Sequence, residues 1–277
     1  MKPGPDKAVC VLGLGRSGKA AVEWLQTTGA KVTAVDGRAT PELQQWAAQL
    51  PEEIDCRLGE RAVMPDRFDL AVVSPGVPLD QPQVASLRAR GVPIWGELEL
   101  GWSASQCPAI AITGTNGKTT TTEWVTQLLA EMRREVMSAG NIGRPLCEVL
   151  PQTRKLDAVV LEVSSFQLET IDAFRASVAV LLNLAEDHLD RHGSMEDYVR
   201  AKARVFENQK PFDWAIIQFE AWEQLQALNV TVPGKVVTFS ARNNSADMYV
   251  DSNQVISRLP GVEGPVLDLA ECALEGT

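Results

Sequence analysis

The stretch Ala111-Ile112-Thr113-Gly114-Thr115-Asn116-Gly117-Lys118-Thr119-Thr120 decides how the rest of the chain is read. Before it, the apolar run Ala109-Ile110-Ala111-Ile112 reads as a buried strand. After it, Trp124, Val125, Leu128, Leu129 and Met132 recur at helical spacing. A strand, a glycine-bearing turn and a helix opening on Lys-Thr form the layout of a phosphate-binding loop. In such a loop backbone N–H groups and the positive end of the helix dipole face an anion. Lys118 adds a full charge, and the Thr119 hydroxyl is suited to ligate Mg²⁺. One position departs from the general pattern G-x-x-x-x-G-K-[ST]: its first glycine falls on Ile112, and the nearest glycine is Gly114.

The composition bounds the answer. With 277 residues, 45% of them hydrophobic and 22% charged, the chain reads as a soluble globular protein long enough for two domains. A formal net charge of −10 argues against a nucleic-acid-binding face, whereas the phosphates of a small nucleotide are met locally. Cys10, Cys56, Cys107, Cys147 and Cys272 are odd in number, widely spaced and without a C-x-x-C pair, so they read as reduced thiols. No signal core and no run of roughly 18 apolar residues is present, so the expectation is a cytoplasmic protein without a membrane partner.

In the first third, Val9-Cys10-Val11-Leu12 reads as a strand running into Gly13-Leu14-Gly15-Arg16-Ser17-Gly18. A helix follows with Ala20, Ala21, Trp24 and Leu25 on one face. This is G-x-G-x-x-G in its proper place, after a strand and opening a helix. Lys31-Val32-Thr33-Ala34-Val35 is a second strand and ends at Asp36, near the spacing of an acid that accepts from a ribose hydroxyl. A plain glycine turn packing helix on strand is the alternative. Leu70-Ala71-Val72-Val73 runs into Ser74-Pro75-Gly76-Val77-Pro78, and Gly91 to Gly96 closes the unit with a short strand. Strands alternating with helices imply a parallel sheet, hence an α/β, Rossmann-like domain over residues 1–95. Gly96 to Pro108 reads as a transition to a second α/β domain, residues 96–277, of phosphate-loop ATPase type.

In that second part, Ser138-Ala139-Gly140-Asn141-Ile142-Gly143 reads as a polar loop. Asp157 to Leu161 is a buried strand ending at Glu162, where an acid near a nucleotide-bound Mg²⁺ is expected. Val178 to Leu182 is another strand. It leads into Asn183-Leu184-Ala185-Glu186-Asp187-His188-Leu189-Asp190-Arg191-His192, which holds both histidines of the chain. They read either as a zinc pair or as one functional histidine, His188, with His192 incidental. Ser194 caps a helix in which Tyr198, Val199, Val205 and Phe206 form one apolar stripe, and Lys202 falls inside that stripe. Such a lysine snorkels, pairs or loses its proton, and a neutral amine there can take up carbon dioxide as a carbamate. Beyond it, Trp214 to Ile217 and Lys235 to Phe239 read as strands. Met248 to Val250 and Gln254 to Ile256 flank Asp251-Ser252-Asn253 as a hairpin.

Jointly, Gly114 to Thr119, Gly140-Asn141-Ile142-Gly143, Leu161-Glu162-Val163-Ser164-Ser165-Phe166-Gln167-Leu168-Glu169, Glu186 to His192 and Ala201-Lys202 resemble the Mur ligases of bacterial cell-wall synthesis. The Ser74-Pro75-Gly76-Val77 loop and the S-S-F-Q-L-E run make the chain most similar to the members that join D-glutamate to UDP-N-acetylmuramoyl-L-alanine. The family loop is G-T-N-G-K-[ST], which accounts for the departure at Ile112. The resemblance implies an ATP-dependent, amide-forming ligase of peptidoglycan synthesis that works through an acyl phosphate, with roles in cell shape and cell division.

The resemblance also assigns residues. ATP falls to Gly114, Thr115, Asn116, Gly117, Lys118, Thr119 and Thr120. One Mg²⁺ falls to Thr119 and Glu162, and a second to His188 and Lys202 as a carbamate. Lys118, His188 and Lys202 carry the catalysis. UDP and its sugar fall to Arg16, Ser17, Asp36, Gly37, Arg38, Gly76, Asn141 and His188. The implied partners are UDP-N-acetylmuramoyl-L-alanine, D-glutamate and ATP, bound by a monomer. Family members continue into a third domain, and this chain ends at Thr277 without a closing helix, so turnover by it alone is in question. Ile216 to Glu220 also departs from the N-x-D-like strand end of the family. The rival readings are another Mur ligase, a folylpolyglutamate synthase-like ligase, a non-catalytic nucleotide-binding remnant, and an oxidoreductase using NAD at Gly13 to Gly18.

Overall fold

The structure, a computed structural model, describes residues 3–59 and 67–272, so the chain end at Leu274 to Thr277 lies outside the described residues. The chain runs β1 (Ala8–Leu12), α1 (Arg16–Thr27), β2 (Lys31–Asp36), α2 (Pro41–Ala47), β3 (Asp55–Leu58), β4 (Leu70–Val73), α3 (Pro82–Ala89), β5 (Ile94–Gly96) and α4 (Glu97–Ala104). It continues through β6 (Ala109–Thr113), α5 (Lys118–Glu131), β7 (Val136–Gly140), α6 (Leu146–Thr153), β8 (Ala158–Glu162) and α7 (Ser165–Leu168). Then follow β9 (Val178–Leu181), α8 (Leu189–His192), α9 (Met195–Ala203), β10 (Trp214–Gln218), α10 (Phe219–Ala227), β11 (Lys235–Ser240), β12 (Met248–Asp251), β13 (Gln254–Ser257) and β14 (Gly264–Asp268). Two compact units result: residues 1–108 with 123–174, and residues 109–122 with 175–277.

The first unit contains a five-stranded sheet, β3-β2-β1-β4-β5, with every neighbouring pair parallel. Parallel sheets are covered on both faces, so their strands are apolar throughout rather than alternating. In β1, Val9 and Val11 join a core with Ala21, Leu25 and Leu70, while Cys10 and Leu12 join a separate core with Val84 and Leu87. The strand order reverses between β1 and β4, which opens the crevice where such sheets bind ligands. The glycines of the first loop are required there. Gly13 has φ +85°, and a Cβ on Gly18 would lie 1.9 Å from the Gly13 carbonyl oxygen.

The segment read as a transition after Gly96 is helix α4, and α6 packs against α4 and α1. Two acids of the Glu97-Leu98-Glu99 run, each 1% exposed, tie α4 to distant chain. Glu99 accepts three backbone N–H bonds, from Asp172, Ala173 and Phe174, at 2.8–3.0 Å. Glu97 Oε1 accepts the Cys147 N–H at 2.6 Å near the start of α6, while its buried Oε2 has no hydrogen-bond partner. Burial therefore dominates and raises the Glu97 pKa to about 7. Strands β7 and β8 pair in parallel in this unit. Ser138 to Gly140, expected in a loop, are the end of β7, and the turn begins only at Asn141.

In the second unit the strands run β14-β13-β12-β11-β10-β9-β6, parallel from β6 to β12 and antiparallel thereafter. Ser252 and Asn253 both have positive φ, +47° and +67°, as a tight hairpin between β12 and β13 demands. Strand β14 was not foreseen. Its residues Gly264-Pro265-Val266-Leu267-Asp268 carry turn formers, and its pairing includes a register shift opposite Val255 and Ile256. Helix α9 stops at Ala203, and Val205 and Phe206 complete the buried stripe from a short 3₁₀ turn. On α5 and just past its end, by contrast, Trp124, Leu128 and Met132 are exposed despite their helical spacing.

Two outcomes test this packing. Gly18→Ala forces a Cβ into a backbone carbonyl and lowers stability by about 3 kcal/mol in urea unfolding. An acid with a raised folded pKa keeps its proton in the fold, so stability falls as pH rises from about 4.5 to about 7. Glu97→Gln removes that slope, and the variant therefore gains on the wild type between pH 5 and 7.5.

Candidate functional site

The first unit holds a crevice of about 690 Å³ at the switch point of its sheet. Gly13 and Gly15 line it from the first loop, Asp36, Gly37 and Arg38 from the end of β2, and Ser74 and Gly76 from the end of β4. Gln81 and Gln83, at the start of α3, line it too, and neither belongs to a motif that the sequence pattern marks. Arg16 lines an adjoining cavity of about 400 Å³ with Lys19 and Arg38, and Ser17 follows in the first turn of α1. Asp36 is 5% exposed and committed on both oxygens. Oδ2 accepts the Leu14 N–H at 2.8 Å, Oδ1 accepts the Arg38 N–H at 2.9 Å, and the Arg38 guanidinium bridges both. Burial opposes this charge, but the Arg38 and Leu14 bonds outweigh it and hold the carboxyl below its usual range. Asp36 thus fixes the glycine loop and Arg38 as well as facing the crevice.

Also in the first unit, Asn141 sits over Glu162. Its N–H donates to the Glu162 carbonyl at 2.8 Å, and its Nδ2 donates to Glu162 Oε1 at 3.0 Å. Gly140 is needed for this approach, since a Cβ there would lie 2.1 Å from the Glu162 carbonyl oxygen. Glu162 is 2% exposed at the end of β8.

The phosphate loop and Lys202 belong to the second unit. Gly114 and Gly117 take φ +154° and +82°. Thr115 is buried; its Oγ1 accepts the Ala185 N–H at 3.0 Å and lies 3.0 Å from the Tyr198 hydroxyl. Asn116 and Thr120 are exposed, and Thr119 is half-buried. Lys118 Nζ folds back to donate to the Gly114 carbonyl at 3.0 Å and the Thr115 carbonyl at 2.7 Å. Lys202, 2% exposed, donates to the same Gly114 carbonyl at 2.8 Å, with its Nζ 4.7 Å from the Tyr198 ring centre. Burial first, and then the charge of Lys118, lowers its pKa to about 7, partly offset by Asp187. The lysine therefore neither snorkels nor pairs with a carboxylate; it is an amine that loses its proton near neutrality.

His188 is half-exposed, takes φ +52° and places Nε2 3.4 Å from Asp187 Oδ2. His192 packs its ring against Tyr198, 5.3 Å between ring centres with 60° between the planes. Among the described residues no group of three or more His, Cys, Asp and Glu could hold a metal ion. The Thr119 hydroxyl and the Glu162 carboxylate are each a hard oxygen donor of the type that suits Mg²⁺. No helix of the described residues is long and apolar enough to cross a membrane.

Known proteins resemble this chain along nearly its whole length. Residues 7–96 match the Mur ligase MurD-like N-terminal domain, and residues 112–264 match the Mur ligase middle domain. The chain is 39% identical to the UDP-N-acetylmuramoylalanine–D-glutamate ligase of Koribacter versatilis, over 98% of this chain and 60% of that protein. It is 46% identical to the ligase of the same name from Anaeromyxobacter dehalogenans, over 75% of this chain and 45% of that protein. The chain thus spans at most about 60% of the length of these relatives. In fold it is similar to UDP-N-acetylmuramate-alanine ligase from Thermotoga maritima, with TM-score 0.51 and 21% identity over 90% of this chain and 56% of that one. The middle-domain match alone covers more than half of the residues, and with it the chain belongs to the Mur ligase family.

Proposed function

We propose that the chain is the substrate- and nucleotide-binding part of an ATP-dependent ligase that adds D-glutamate to UDP-N-acetylmuramoyl-L-alanine in peptidoglycan precursor synthesis. The observation that carries this reading is the convergence of Lys118 and the buried, weakly basic Lys202 on one phosphate-loop carbonyl. The name shared by the curated relatives supports the substrate. The match of residues 7–96 to a MurD-like domain favours it over a folylpolyglutamate synthase-like ligase. We divide the work between a UDP-substrate part, residues 1–95, and an ATP part, residues 96–277, acting in the cytoplasm as a monomer.

In this reaction the L-alanyl carboxylate attacks the γ-phosphorus of ATP. The bond to the bridging oxygen breaks, ADP leaves and an acyl phosphate forms. The neutral amine of D-glutamate then attacks the acyl carbon, phosphate leaves, and the amine releases a proton. Such phosphoryl transfer needs positioning and charge neutralisation more than covalent help. Lys118 and the loop Gly114 to Thr120, through its amides from Gly117 onward, hold the β- and γ-phosphates. Arg16, Ser17, Asp36, Gly37, Arg38 and Gly76 hold the uridine diphosphate, and Asn141 and His188 hold the rest of that substrate. Thr119, Glu162, His188 and Lys202 are the residues that would serve as Mg²⁺ ligands, two ions in all, and the metal would neutralise phosphate charge. Lys202 serves as a carbamate: its neutral amine adds carbon dioxide and releases one proton, replacing a buried cation by an anion with two oxygens.

Isothermal titration of the 277-residue chain with UDP-N-acetylmuramoyl-L-alanine tests the substrate. Stoichiometric binding that Arg38→Ala weakens about tenfold is expected, and no heat at millimolar ligand rules the reading out. With ¹³C-bicarbonate, NMR should show a carbamate resonance missing from Lys202→Arg. Its intensity should grow as pH rises through about 7, where the amine becomes neutral. A wild-type protein lacking that resonance under saturating bicarbonate removes the carbamate from the account.

A further inference from the structure

Beyond the residues so far given a role, Asn183 makes more bonds to the phosphate loop than its place after a strand suggests. It lies two residues past the end of β9, beside β6. The two chains stay hydrogen-bonded as they leave the sheet. The Leu182 N–H donates to the Thr113 carbonyl at 2.9 Å, and the Thr115 N–H donates to the Asn183 carbonyl at 3.1 Å. Gly114 permits this closeness, for a Cβ there would lie 3.0 Å from Leu182 Cβ and 3.3 Å from the Asn183 nitrogen.

Past that point the Asn183 side chain continues the ladder. Its Oδ1 accepts the Asn116 N–H at 2.8 Å, and its Nδ2 donates to the Asn116 carbonyl at 3.0 Å. A primary amide carries acceptor and donor in the same fork as a peptide, so it pairs with Asn116 as one more main-chain residue would. The N–H groups of Thr115 and Asn116 are then both committed to Asn183. The loop offers an anion the amides from Gly117 onward, together with Lys118.

We propose that Asn183 is a positioning residue for the nucleotide phosphates. It acts by holding the Asn116 peptide in register, so that the following amides are already ordered when the anion arrives. The inference rests on the reading of Gly114 to Thr120 as the ATP phosphate loop. Without the side-chain amide, the Asn116 peptide bonds to water, and its ordering moves into the binding step, where it lowers affinity. Asn183 is only half-buried, so its replacement leaves the core intact.

The test compares wild type, Asn183→Ser and Asn183→Ala in the full chain. MgATP affinity is measured by titration calorimetry, and exchange of the Asn116 amide by NMR. Serine keeps one polar group on a shorter side chain and alanine keeps none. The expected order of dissociation constants is wild type, serine, alanine, with at least a tenfold rise for alanine, equivalent to about 1.4 kcal/mol. Faster exchange at Asn116 should follow the same order, with thermal midpoints nearly unchanged. A purely structural role would lower the midpoints and leave the affinity of the folded protein alone. Equal MgATP affinity in wild type and either variant overturns the positioning role. A wild-type chain that binds no MgATP, and so matches Lys118→Ala, overturns the ATP reading beneath it.

Discussion

The Gly114 carbonyl oxygen accepts hydrogen bonds from two lysines, Lys118 at 3.0 Å and Lys202 at 2.8 Å, and the candidate site depends on that convergence. Two full ammonium charges on one neutral acceptor, one of them buried, repel with little water to screen them. The least costly relief is to deprotonate the more buried amine. Lys202 is that amine, lowered to about 7 by burial and then by Lys118. Among the described residues Lys118 donates to two neutral backbone carbonyls, so an incoming phosphate offers it a stronger, charge-assisted partner.

The surrounding fold serves this arrangement. Strand β6 delivers the loop at the carboxyl end of a parallel sheet. Tyr198 and Lys202 descend from one buried face of α9, so the hydroxyl near Thr115 and the amine on Gly114 are set by the same helix packing. In the other unit an equivalent economy holds. Asp36 joins the glycine loop to Arg38, and Asn141 and Glu162 hold one another at the end of β8.

What was legible in the sequence was local. The switch from an apolar run to helical spacing around Gly114-Thr115-Asn116-Gly117 located β6, the loop and α5. G-x-G-x-x-G located β1 and α1, and a lysine inside an apolar stripe marked Lys202 as unusual. What was not legible depends on partners far along the chain. Glu97 and Glu99 look like ordinary surface acids of a helix, and only their bonds to residues 50 to 75 positions away explain their burial. Asn183 reaches Asn116 across 67 positions and belongs to no periodic pattern. The apolar spacing on α5 predicted a helix correctly but not its exposure, because periodicity reports a stripe and not what covers it.

The most direct measurement is a titration of the Lys202 side-chain amine, followed by NMR of lysine labelled with ¹³C and ¹⁵N and assigned with Lys202→Arg. The account predicts a midpoint at about 7, moving upward when Lys118→Met removes the neighbouring charge. A midpoint near the ordinary lysine value of 10.5, unaffected by Lys118→Met, would contradict it.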